Sequence, residues 1–84
     1  MRLRQLPSFR RAVKRLSAPQ RQAIGRALAR LEANPADPSL RLHKLSGKLT
    51  GCWAISAGYD LRVVCQLESD IAHLLAVGSQ DEVY

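Results

Sequence analysis

The chain has 84 residues, 46% of them hydrophobic and 24% charged, so its composition is globular and it has room for one core, residues 1–84 forming a single domain. No apolar run approaches the ~20 residues that a membrane-spanning helix needs, and the basic N-terminus has no apolar signal core behind it, so a cytoplasmic protein without membrane contact is expected. The net charge of +6 is unevenly spread: residues 1–44 carry eleven Lys/Arg against Glu32 and Asp37, a net +9, whereas residues 45–84 carry Lys48 and Arg62 against five acids, a net −3.

A brief leading strand at Arg2 to Leu6 is weakly signalled. Ser8 can cap a helix in which Phe9, Ala12, Val13 and Leu16 follow the i, i+3, i+4, i+7 rule, with Arg10, Arg11, Lys14 and Arg15 on the remaining arc. Ser17 offers a second cap, and Gln20 three residues later completes a capping-box pattern around Pro19. The helix that follows has an apolar stripe of Ile24, Ala27, Leu28 and Leu31, while Arg21, Arg26 and Arg30 face elsewhere. It should stop by Asn34, because Pro35 disfavours helical geometry in the residue before it. With almost no linker between them, the two helices are expected to form an αα-hairpin.

Beyond the loop Asn34-Pro35-Ala36-Asp37-Pro38-Ser39 the periodicity becomes strand-like. Leu40 and Leu42 alternate with Arg41 and His43, Cys52 to Ala57 is an apolar run, Leu61 to Glu68 alternates, and Ile71 to Val77 is nearly continuous. Gly58-Tyr59-Asp60 and Ser69-Asp70 are short enough to be hairpin turns. The expected fold class is α+β: an N-terminal αα-hairpin, with the optional leading strand, packed on a mostly antiparallel sheet of three to four strands.

Few residues stand out as carriers of chemistry. Strand alternation sends Arg62 to the face opposite Leu61, Val63, Cys65 and Leu67. There its guanidinium can hold a phosphate, or it can pair with Asp60 or Glu68. His43 can act as a general base toward a ribose 2′-hydroxyl, with Arg41 or Lys44 holding the backbone. His73, in an apolar strand, reads as structural. Tyr84 can stack on a base, donate a proton or close the core edge; Trp53 is a core anchor or a stacking surface. Cys52 and Cys65 lie in apolar segments with no metal spacing and read as buried thiols. No metal-ligand cluster or Gly-rich phosphate loop is present in the sequence.

The run Leu42-His43-Lys44-Leu45-Ser46-Gly47-Lys48-Leu49-Thr50-Gly51-Cys52-Trp53-Ala54-Ile55, then Tyr59-Asp60-Leu61-Arg62-Val63-Val64, then Val77-Gly78-Ser79-Gln80-Asp81-Glu82-Val83-Tyr84, resembles toxins of the RelE/ParE superfamily, nearest the RelE/YafQ branch. The resemblance spans essentially the whole chain. It implies a RelE-like fold and a toxin of a type II toxin–antitoxin system that cuts mRNA in the ribosomal A site, needs no metal or other cofactor, and is silenced by a cognate antitoxin. It also implies a catalytic set of His43, Asp60, Arg62 and Tyr84; Arg41, Lys44, Lys48 and Gln80 are expected as substrate contacts from their own chemistry. The match is incomplete: Gln80 and Ser56 stand where YafQ-like toxins carry histidines, and the lysines of RelE itself have no counterparts at Ala54 and Ser56. This thinning of proton-transfer groups keeps two alternatives open: a ParE-like toxin that inhibits DNA gyrase, and a catalytically weakened relative that binds an antitoxin.

Overall fold

Pro7, not Ser8, opens the first helix. Its fixed φ and missing N–H suit the first helical position, so Leu6 becomes the N-cap and α1 runs Pro7–Lys14. The Ser8 hydroxyl is thereby released from capping and donates to the Leu75 carbonyl at 2.7 Å. The Ser17 expectation holds: the Gln20 backbone N–H donates to Ser17 Oγ, and the Ser17 N–H donates to the Gln20 side chain at 2.9 Å. From that cap α2 runs Ala18–Ala33 and ends at Asn34, before Pro35. The computed structural model describes residues 1–58 and 60–79.

Five strands form one sheet in the order β1-β5-β4-β3-β2, namely β1 Arg2–Gln5, β2 His43–Lys44, β3 Trp53–Ser56, β4 Leu61–Glu68 and β5 Ile71–Ser79. The weakly signalled leading strand is therefore present, pairing parallel to β5; the other neighbours are antiparallel. The strand expected from Leu40 is much shorter than the alternation suggested. Asp37 accepts from the Ser39 N–H, Pro38–Leu40 winds into a 3₁₀ turn, and Arg41 leaves it in the left-handed region at φ 51°. Only His43 and Lys44 then reach β3.

Between Val64–Ala76 and Cys65–Leu74 the β4–β5 register shifts, leaving Leu75 as an extra residue in a β-bulge. Its carbonyl is the one that Ser8 satisfies, which ties the start of α1 to the sheet.

The helices cover one face of the sheet. Phe9, Ile24, Ala27 and Leu31 pack with Leu40, Ile55, Val63, Cys65 and Leu74, all nearly or fully buried. Cys65 is enclosed there, and burial, with Cys52 nearby, pushes its thiol up to about 11. Alternation sends Arg62, Val64 and Gln66 of β4 to the other face. No helix among the described residues is long and apolar enough to cross a membrane.

Candidate functional site

Arg62 sits one residue into β4, directly opposite Ser56 at the end of β3. Its Nη1 donates to the Leu61 carbonyl at 3.1 Å and approaches Ser56 Oγ at 3.5 Å. Neither of the two ion pairs among the described residues involves Arg62, so the pairing with Asp60 or Glu68 weighed from sequence is not formed there. The guanidinium is half-buried and held by neutral acceptors.

At this end of the sheet, α2 and the Pro38–Leu40 turn pass the β3–β4 connection and leave an open depression of about 570 Å³. Arg26 and Arg30 of α2, Arg41 after the turn and Arg62 of β4 all border it, with Ser39, Ser56 and Asp60. Four guanidiniums thus surround a single carboxylate. Among the described residues Arg26, Arg30 and Arg41 have no side-chain hydrogen bond or ion pair. Of the three non-glycine residues with positive φ among the described residues, two, Arg41 at 51° and Asp60 at 60°, lie on this rim. Such backbone conformations cluster where surrounding structure holds a site in shape.

His43 lies on the neighbouring surface. It pairs with Ala54, Ala54 pairs with Val64, and Ser56 pairs with Arg62, so alternation places His43 and Arg62 on the same sheet face. One strand separates them, a lateral gap of roughly 10 Å at the usual strand spacing. They are not in contact, but Arg41 links them: its side chain borders the arginine depression and its carbonyl lies 2.8 Å from His43 Nδ1. Only a protonated Nδ1 can donate to a carbonyl, which leaves the lone pair of the neutral ring on Nε2. Lys44 and Lys48 border a second depression with His43, and the Lys44 ammonium lies 5.4 Å from the Trp53 ring centroid. Trp53 itself is half-buried against the core edge.

The structure therefore brings Arg41, Asp60 and Arg62 to one depression, and His43, Lys44 and Lys48 to a separate one. Tyr84 and Gln80 lie outside the described residues. Sequence reasoning missed Arg26 and Arg30, whose position shows only that they lie off the apolar stripe; their i, i+4 spacing on a helix was the available signal. His73, read from the sequence as structural, has Nε2 3.3 Å from the Glu68 carboxylate and Nδ1 3.4 Å from Arg4 Nη1. No cluster of three or more His, Cys, Asp or Glu suited to a metal ion occurs among the described residues.

The fold matches solved structures over nearly its whole length. YafQ from E. coli strain BL21(DE3) superposes with a TM-score of 0.79 at 18% identity, covering 100% of this chain and 99% of that one. The YoeB–YefM complex from Staphylococcus aureus gives 0.74 at 15% identity, with 95% and 97% covered. The intact E. coli RelBE toxin–antitoxin complex gives 0.70 at 18%, with 93% and 94% covered. No curated protein sequence matches the chain. In sequence, residues 3–84 match the family described as the ParE toxin of the parDE type II toxin–antitoxin system. The chain belongs to this toxin family, within the RelE/ParE superfamily.

Proposed function

We propose that the chain is a ribosome-dependent mRNA endonuclease held in check by a cognate antitoxin. One observation carries the reading: four guanidiniums that make no ion pair among the described residues border one depression, next to a histidine whose Nδ1 lies 2.8 Å from the Arg41 carbonyl. Like charges gathered on one rim repel one another. A polyanion entering the depression relieves that repulsion.

In this mechanism His43 Nε2 takes the proton of a ribose 2′-hydroxyl. The 2′-oxygen bonds to the adjacent phosphorus, the bond from phosphorus to the 5′-oxygen breaks, and the products are a 2′,3′-cyclic phosphate and a 5′-hydroxyl. Arg62 stabilises the charge on the non-bridging oxygens as it grows, a role worth about 10²–10³ in rate for a well-placed donor. Tyr84 is assigned as the acid that protonates the leaving 5′-oxygen, and Asp60 accepts from a ribose hydroxyl. Arg41, Lys44, Lys48 and Gln80 hold the flanking strand. The toxin–antitoxin complexes among the similar structures support an antitoxin as protein partner.

The test is to induce the protein in bacteria and map mRNA 5′ ends. Wild type should cut within codons of translated messages, and Arg62→Ala should cut far less; equal cutting by the two would remove Arg62 from the mechanism. A second reading, inhibition of DNA gyrase, is favoured by the match to a family described as ParE. It predicts loss of supercoiling activity at micromolar protein with no new mRNA ends.

A further inference from the structure

We infer that Arg26 and Arg30 form a rail that grips consecutive phosphates of a single RNA strand next to the reacting one, an inference that rests on the RNA reading above and adds a binding site on α2. The two residues stand one helical turn apart on the same wall of the depression that Arg62 and Arg41 border. Side chains at i and i+4 are about 5–6 Å apart at Cβ, comparable to the step from one phosphate to the next along a strand.

Both residues are exposed, and neither has a side-chain partner among the described residues. Elsewhere some exposed arginines do have partners, while Arg10, Arg11 and Arg15 have no side-chain partner among the described residues, so it is the convergence on one depression that sets Arg26 and Arg30 apart. Arg2 meets Asp70 at 3.2 Å, and Arg21 donates to the Leu16 carbonyl at the start of α2. The Asp37 carboxylate is held below the usual range chiefly because Ser39 hydrogen-bonds to it, with the charge of Arg30 the last of its causes. Two guanidiniums in one row, facing a third and a fourth, favour a ligand with regularly repeated negative charges over one with a single carboxylate. Guanidinium matches phosphate oxygens with paired donors, and it does so without reading the bases.

The experiment follows binding apart from cleavage. The probe is a short, mixed-sequence, fluorescently labelled 2′-O-methyl RNA, which lacks the attacking hydroxyl, and anisotropy is recorded over about 50 to 200 mM KCl. Wild type should bind with a steep salt dependence. R26Q/R30Q should weaken binding at low salt by tenfold or more and reduce the slope of log K against log salt by about 1.4, the share of two phosphate contacts on a single strand. R26K/R30K should restore most of that slope. Glutamine and lysine are good helix formers, so both variants should fold, as circular dichroism can verify.

An unchanged slope in R26Q/R30Q would overturn the inference, as would a lysine pair that behaves like the glutamine pair. Loss of binding to a polyglutamate peptide with RNA binding intact would assign the rail to an acidic protein segment instead. Wild type that binds RNA through the rail but leaves translated mRNA uncut would fail the nuclease reading and leave this inference standing.

Discussion

The two ends of the sheet treat their positive charges in opposite ways. At the β4–β5 end, Arg2 pairs with Asp70, and Arg4, His73 and Glu68 form a chain of contacts across three strands. At the β3–β4 end, four arginines crowd one rim with a single acid and no ion pair among the described residues. The two ends share one sheet and one helical layer, so the difference belongs to the side chains. Arginines with acidic partners tie strands together at one end, whereas the arginines bordering the depression at the other end make no ion pair among the described residues.

The largest predicted effect is at the link between the arginine depression and the sheet face beside it. His43→Ala should lower the rate of mRNA cleavage about 10²- to 10⁴-fold, the usual worth of a general base, measured by single-turnover cleavage on programmed ribosomes. Unfolding free energy should change by less than about 0.5 kcal/mol, because the side chain is exposed. A comparable loss of stability would make His43 structural, like His73.

The next effect concerns the core that holds both ends in register. Cys65 is protonated in the fold up to about 11, while an unfolded thiol ionises near 9.0. The folded state therefore binds more protons than the unfolded one between those values. Stability should be fully present below pH 9 and fall on the order of 2–3 kcal/mol as the pH rises to about 11. Chemical denaturation across that range should show the fall in wild type and lose this contribution in Cys65→Ala, although that variant starts from lower stability because it opens a small cavity.

A smaller, stabilising effect is expected on α2. Gly25 is an exposed helical residue at which an added Cβ meets nothing within 4 Å. Gly25→Ala should raise the unfolding free energy by about 0.4–1 kcal/mol in denaturant titrations. Its RNA affinity should stay unchanged if Arg26 and Arg30 act through charge and position alone.

The sequence carried most of the fold because its strongest signals are local. The Ser17–Gln20 box, the Asn34-Pro35 stop and the alternation of Leu61 to Glu68 each depend on neighbours within a few residues, and each stands in the structure. Two local signals misled for physical reasons. Ser8 looked like a cap, but Pro7 beside it was better suited to begin the helix, and the serine served the Leu75 bulge instead. Leu40 to His43 alternated like a strand, yet Asp37 and Pro38 set a 3₁₀ turn and Arg41 turned left-handed, trimming the strand to two residues. The site was half legible. Arg62 and His43 were reached through strand alternation and resemblance, whereas Arg26 and Arg30, with their i, i+4 spacing as the one local signal, joined the site through the packing of α2 beside the β3–β4 connection, a tertiary fact.

The most direct test of the contrast between the two ends sets Arg62→Ala beside Arg4→Ala in one cleavage assay on ribosomes carrying the same message. Because Arg4 contacts His73 at the paired end and Arg62 borders the open depression, the first variant should lose at least about 100-fold in rate and the second should cut like wild type. Equal losses, or a loss confined to Arg4→Ala, would contradict the assignment of the arginine depression as the working end of the molecule.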